Sequence, residues 1–177
     1  QLVKAGYDVT AVDRDPSRVE RLRQNLGRLD FGAAIVTADA ADYMPEIPFD
    51  GVLLDAPCSA TGTFRRHPEV VWHRDPADIA SRIALQQKLI LKARDSLKPG
   101  GILVYCVCSL EPQEGERQAE WAIAQGLDPL PINATELDGW AAPVTKDGTV
   151  RTHPGLIVPG EKAGTLDGFF VARFRRR

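Results

Sequence analysis

Cysteine is scarce in this chain: three residues among 177, an odd number. That argues against a disulfide framework and for a reducing compartment. No Cys-x-x-Cys occurs, and the three histidines, His67, His73 and His153, are scattered, so the sequence offers no metal-ligand set. No apolar run approaches the roughly 20 residues of a membrane span, and no signal-peptide pattern appears, so a cytoplasmic protein is expected. Charge of one sign is missing too. A formal net charge of −2 leaves no global basic signature, so a nucleic-acid partner must be held by a local patch. The basic clusters are Arg65-Arg66-His67 and the tail Arg173-Phe174-Arg175-Arg176-Arg177, and such clusters are by default solvated surface.

What is present is strand alternating with helix. The length suits one domain with a core, and an apolar share of 44% is ordinary for a globular chain. Apolar runs at 7–12, 33–38, 49–54, 102–107 and 168–174 read as strands. Asp15-Pro16 opens a helix, with Asp15 as N-cap and Pro16 in the first turn, and Val19, Leu22, Leu26 and Leu29 follow at helical spacing. A second helix is predicted over 76–97, with Ile79, Ile83, Leu89, Ile90 and Ala93 as core positions. Lys98-Pro99-Gly100-Gly101 stops it and turns the chain. A third runs from 112 to 125, with Trp121 buried. Residues 128–162, rich in Pro, Gly and Asp, read as loops and short strands. The expectation is α/β: a parallel, doubly wound sheet in a single domain, without internal repeats.

Three of the predicted strands end in an acid: Asp13, Asp39 and Asp55. Open α/β sheets bind ligands at the carboxyl ends of their strands. Asp13 can take both ribose hydroxyls of a nucleoside cofactor, and Asp39 can reach an adenine amino group. Each acid can equally be a helix cap or turn residue, although three in register weigh against coincidence. A nucleotide-binding half normally opens with a strand and a glycine-rich loop, the ribose acid lying about 20 residues later. Only twelve residues precede Asp13. The expectation is a sheet lacking its first strand and glycine-rich loop, with weak cofactor binding and an unpaired strand edge.

The thiols follow two of the strands. Cys106, inside Val104-Tyr105-Cys106, reads as a small packing residue. Cys108 stands where the strand gives way to Ser109 and an acidic helix start, and helix N-terminal amides there can favour its thiolate. Cys58 follows Pro57 in a Gly- and Ser-containing loop able to wrap a ligand closely. Two thiols just past strand ends suggest covalent catalysis assisted by a second sulfur or an acid–base group.

The segment Asp55-Ala56-Pro57-Cys58-Ser59-Ala60-Thr61-Gly62, followed by Arg65-Arg66-His67-Pro68-Glu69, resembles a signature of the NOL1/NOP2/Sun family of RNA cytosine-C5 methyltransferases. Lys98-Pro99-Gly100-Gly101-Ile102-Leu103-Val104-Tyr105-Cys106-Val107-Cys108-Ser109-Leu110-Glu111-Pro112 resembles that family's next catalytic motif. Asp167-Gly168-Phe169-Phe170-Val171-Ala172 resembles its terminal strand. The resemblance implies a Rossmann-like class I methyltransferase sheet, here without its first strand and glycine loop, that uses S-adenosylmethionine. It assigns Cys108 as the nucleophile at cytosine C6, Asp55 as the group that holds or protonates N3, and Cys58 as the helper that releases the product. Asp13, Asp39 and Asp55 fall to the cofactor, and Arg65, Arg66 and His67 to RNA phosphates. The implied partner is RNA, ribosomal first and transfer RNA second, met by a monomer without metal. Val107 departs from the family's common Thr, which removes a hydroxyl beside the nucleophile and leaves the thiol in place.

Other readings fit less well. A DNA cytosine-C5 methyltransferase carries its nucleophile in the Pro-Cys motif and a Glu-Asn-Val later, which occurs nowhere here. An amino-group methyltransferase carries Asp/Asn-Pro-Pro-aromatic where Cys58 stands. The rival of a different class is a catalytically impaired RNA-binding or assembly module of the same fold, against which intact Asp55, Cys58 and Cys108 speak.

Overall fold

The computed structural model describes residues 1–72, 76–161 and 166–177, so His73 and the end of the predicted loop region at Lys162 lie outside the described residues. The chain divides into two compact units, residues 1–44 and 45–177.

In the first unit β1 (Thr10–Asp13) and β2 (Ala34–Thr37) pair in parallel, with Thr10 opposite Ala34 and Asp13 opposite Thr37. Parallel neighbours need a crossover, and α1 (Pro16–Arg28) supplies it. The helix starts as predicted. Asp15 accepts a hydrogen bond from the Ser17 amide at 2.8 Å, and Pro16 sits where a missing N–H costs nothing. Those Ser17 hydrogen bonds hold the Asp15 carboxyl below its ordinary value. Val19 is buried and Leu22 and Leu26 are half-buried, whereas Leu29 is exposed because it is already the C-cap.

The second unit holds a mixed sheet rather than the parallel one expected. β3 (Phe49–Asp55) runs parallel to β4 (Leu97–Val107). After α3 (Glu116–Ala124) and β5 (Leu127–Pro129), the chain reaches β6 (Val150–Thr152) and β7 (Phe169–Arg176). β7 lies antiparallel to β4, β5 and β6, and among the described residues no helical crossover leads into it. Lys98-Pro99-Gly100-Gly101, predicted as a turn, lies inside β4 as a bulge. Phe49 faces Leu97 while Gly51 faces Ile102, and Gly100 takes a φ of 79° that suits glycine.

α2 (Pro76–Asp95) buries Leu89, Ile90 and Ala93 and half-buries Ile79 and Ile83. α3 begins later than predicted because the preceding residues turn first: the amides of Glu114 and Gly115 both donate to the Glu111 carbonyl. Trp121 is partly buried against the core. Along β4, alternate residues Leu103, Tyr105 and Val107 enter the core with Phe170, Ala172 and Phe174 of β7 and Ile90, Ala93, Ala119 and Ala122 of the helices. Burying each large apolar side chain is worth about 1.5–3 kcal/mol. This packing anchors the end of β4, from which Cys108 projects. Among the described residues, no helix is long and apolar enough to cross a membrane.

Candidate functional site

The β3–β4 ladder places Asp55 opposite Cys106, and the Ala56 amide continues it by donating to the Cys106 carbonyl at 3.0 Å. Beyond that point the two chains leave the sheet together. Cys58 lies in one loop and Cys108 in the other, and their sulfurs approach to 3.5 Å. Both side chains are half-buried and neither is in a disulfide. The loops are joined again at Gly62, whose amide donates to the Cys108 carbonyl at 3.0 Å and whose carbonyl accepts from the Gly168 amide at 2.8 Å. Only glycine fits there, since a Cβ on Gly62 would lie 1.9 Å from the Gly168 carbonyl oxygen. Ala60, inside the same loop, adopts the left-handed conformation at φ 56°, which a residue with a Cβ adopts at some cost.

The two thiols are electrostatically unequal. The Cys58 hydrogen bond brings the Cys108 thiol down to about 7 against the opposing effect of burial. Cys58 is pushed well above the ordinary thiol range, first by holding its proton toward Cys108 and then by burial. The electrostatics favour the thiolate on Cys108 over Cys58, an arrangement suited to a nucleophile with a proton-bearing neighbour. The helix amides expected to favour the thiolate are not the cause, because α3 begins only at Glu116.

Cys106 is not simply a packing residue. It points away from the face that Tyr105 and Val107 bury, and its sulfur lies 3.8 Å from Asp55 Oδ1. Burial and the Asp55 charge raise its thiol to about 12. Asp55 itself is exposed at the end of β3.

A residue that sequence reading missed lies beneath the thiols. Glu114 is fully buried. Its carboxylate accepts from the Ser59 amide at 3.0 and 3.1 Å, the Ser59 hydroxyl at 2.5 Å, the Ser109 hydroxyl at 2.7 Å and the Gln86 side-chain amide at 3.1 Å. Gln86 also donates to the Pro57 carbonyl, and the Tyr105 hydroxyl donates to the Glu114 carbonyl at 2.7 Å. Thr61 accepts from the Leu110 amide at 2.9 Å. Arg151 donates to the Ser109 carbonyl, forms a two-point pair with Glu116 and lies over the Phe170 ring. The available signal was Glu114 itself, an acid in the first turns after the Cys108 motif, but spacing cannot show that it turns inward.

The basic cluster is engaged with acids. Arg66 pairs with Asp167, Arg65 lies 3.5 Å from the same carboxylate, and His67 lies 3.1 Å from Glu69. All three remain exposed on the loop that follows Cys58.

In the first unit, Asp13 closes β1 and Asp39 follows β2. Each behaves partly as a turn residue. Asp13 accepts from the Asp15 amide and Asp39 from the Ala41 amide, with Arg18 and Arg14 at 3.6 and 3.9 Å. Each carboxylate still reaches solvent. Acceptor-only side chains at the carboxyl ends of adjacent parallel strands suit the hydroxyl and amino donors of a nucleoside. Among the described residues, no group of three or more His, Cys, Asp or Glu side chains is placed to hold a metal ion.

Residues 1–175 match the family model described as 16S rRNA methyltransferase RsmB/F. The ribosomal RNA small subunit methyltransferase B of Pasteurella multocida is 36% identical over 180 residues, covering 95% of this chain and 37% of its own length. The chain therefore spans little more than a third of that relative. Among solved structures, a methyltransferase homolog protein from Pyrococcus horikoshii is 30% identical with a TM-score of 0.75, covering 96% of this chain and 53% of that one. NSun6 from Pyrococcus horikoshii, solved with SFG, is 26% identical with a TM-score of 0.75, covering 96% of this chain and 41% of that one.

Proposed function

This chain belongs to the 16S rRNA methyltransferase RsmB/F family, and from that premise we propose that it methylates cytosine C5 in ribosomal RNA through a covalent adduct between Cys108 and C6. The observation that carries the proposal is the pair of free thiols 3.5 Å apart, on the loops that follow β3 and β4. Cytosine C5 is too weak a nucleophile to take a methyl group unaided. Addition of the Cys108 thiolate to C6 places electron density on C5, and Asp55 holds or protonates N3 to accept the charge. S-adenosylmethionine, when bound, supplies an electrophilic methyl group, and Asp13, Asp39 and Asp55 are the residues assigned to hold it. The base must leave any stack to meet the sulfur, and Arg65, Arg66 and His67 are assigned to the phosphates beside it.

The sulfur pair also suggests how Cys58 becomes useful only after attack. While Cys108 is a thiolate, its charge and hydrogen bond keep the proton on Cys58. Once the Cys108 sulfur is bonded to C6, that charge is gone and Cys58 can give its proton to solvent. Its thiolate then takes the C5 proton, the C5–H electron pair forms the C5–C6 double bond, and Cys108 leaves as thiolate.

The test uses the complete gene product with small-subunit ribosomal RNA and transfer RNA as separate substrates. Cys108→Ala abolishes methyl transfer, and Cys58→Ala accumulates an RNA adduct visible as a shifted band on a denaturing gel. Normal turnover by Cys58→Ala, or an adduct formed by Cys108→Ala, reverses the assigned roles. RNA binding by the wild type without any methyl transfer leaves the fold as a binding module, and transfer confined to transfer RNA corrects the substrate.

A further inference from the structure

We propose that Glu114 is a positioning residue: its buried carboxylate clamps the loop that carries Cys58 to the loop that carries Cys108 and thereby sets the distance between the two sulfurs. The inference concerns the thiol pair of the proposed methyl-transfer site and deepens that reading. Ser59 directly follows Cys58, and Ser109 directly follows Cys108. Both hydroxyls donate to the same carboxylate oxygen, at 2.5 and 2.7 Å, and they lie 3.1 Å from each other. The Ser59 amide and the Gln86 side chain complete the set. Glu114 is held from its other end by Tyr105, a fully buried residue of β4, through the Glu114 carbonyl. A line of contacts thus runs from the sheet core through Glu114 to the residue beside each thiol.

Among the described residues, every side-chain partner of this carboxylate is a neutral donor, and none is a cation. A buried acid paired to Arg or Lys is an ordinary ion pair. A buried acid meeting only N–H and O–H groups from separate segments acts through direction, because each donor must point at it and is costly to orphan. Removing the carboxylate takes a shared acceptor from two hydroxyls, one backbone amide and one side-chain amide. The loop ends that bear Cys58 and Cys108 then separate.

The experiment reads the thiols directly in the 177-residue chain, without RNA or methyl donor. Diamide oxidises Cys58 and Cys108 to a disulfide while being reduced to its hydrazine, and the rate of this reaction reports how often the sulfurs meet. Iodoacetamide labelling of Cys108 across pH, read by mass spectrometry, reports its proton affinity. Glu114→Ala slows the crosslink at least about tenfold and moves the Cys108 midpoint up from about 7 toward an ordinary thiol, because the Cys58 hydrogen bond is lost. Glu114→Gln keeps an acceptor oxygen and loses the charge. It crosslinks within about twofold of wild type, and its midpoint moves down, because the Glu114 charge opposes the thiolate. The two variants therefore shift in opposite directions, which mere loosening of the fold does not produce.

Wild-type crosslinking in Glu114→Ala, or a downward midpoint in both variants, overturns the inference and leaves Glu114 as a charge only. Should Glu114→Ala fail to fold by circular dichroism, the Ser59→Ala/Ser109→Ala pair removes both hydroxyl donors and keeps the carboxylate. It must then slow the crosslink, and an unchanged rate overturns the inference equally. If these thiol measurements behave as described while the wild-type gene product transfers no methyl group to RNA, the functional reading fails and the positioning role stands.

Discussion

Replacing Cys58 with alanine tests the electrostatics of the site at one atom. Cys108 titrates near 7 chiefly because the Cys58 thiol donates to it across 3.5 Å. Alanine removes that donor and leaves the Asp55 and Glu114 charges and partial burial, all of which oppose the thiolate. The midpoint should therefore rise to at least the ordinary thiol value of about 8.5. At pH 7 a thiol titrating at about 7 is roughly half ionised, and one at about 8.5 is roughly 3% ionised, a loss of about sixteenfold in thiolate. Each surviving thiolate is more nucleophilic, since reactivity rises with basicity at a slope of about 0.4–0.5, which returns about fivefold over 1.5 units. The net fall in alkylation rate at pH 7 is thus only about threefold, and above about pH 8 the variant overtakes the wild type. The full pH profile is the decisive measurement: iodoacetamide labelling of the Cys108 peptide, followed by mass spectrometry from pH 5.5 to 10. A Cys58→Ala midpoint that stays near 7 refutes the assignment of the sulfur pair, as does faster labelling of Cys58 than of Cys108 in the wild type at pH 7. The same shift bears on the adduct trap: Cys58→Ala should accumulate RNA adduct faster at pH 8.5 than at pH 7.

Three further outcomes are expected. Gly62→Ala drives a Cβ into the Gly168 carbonyl, so it should lower stability by at least about 1–3 kcal/mol, seen as a reduced melting temperature; a wild-type melt contradicts the tight approach. Tyr105→Phe leaves the buried Glu114 carbonyl without its donor and should cost about 1–3 kcal/mol, read as a lower urea midpoint at unchanged slope. Arg65→Ala/Arg66→Ala should weaken RNA binding and reduce the salt dependence by up to about two counterions. An unchanged slope would mean that both guanidiniums remain with Asp167.

Much of both units could be read from residue order because local rules govern it. Apolar runs ending in acids marked β1 and β3, Asp15-Pro16 marked the start of α1, and two thiol-bearing loops after β3 and β4 marked the site. What escaped reading depended on contacts far apart in sequence. The antiparallel direction of β7 comes from pairing with β4, and Phe169–Arg176 looks the same in either direction. The Lys98-Pro99-Gly100-Gly101 segment carries turn residues, yet pairing with β3 on both sides turns it into a bulge. Apolar neighbours make Cys106 look like packing, but strand alternation puts its side chain on the face opposite Tyr105, 3.8 Å from Asp55. Nothing in the local sequence sets Glu114 apart from Glu111 and Glu116.

The same division explains why the site needs Glu114 at all. Parallel pairing fixes Asp55 against Cys106, so the ladder controls everything up to the last residues of β3 and β4. Both thiols lie past that limit: Cys58 is three residues beyond Asp55, and Cys108 is two beyond Cys106. A loop of that length left to itself samples sulfur separations far wider than a hydrogen bond allows. Backbone and side-chain ties substitute for the missing ladder, the bond from the Leu110 amide to the Thr61 hydroxyl among them. Gly62 joins the loops through backbone to the Cys108 carbonyl, and Glu114 joins them through the serine after each cysteine. The backbone tie sets the separation of the main chains, whereas the carboxylate fixes the rotation of the segments bearing the side chains. Gly62→Ala and Glu114→Ala should therefore fail differently. The first loses stability together with thiol proximity, and the second loses thiol proximity while Glu114→Gln restores it.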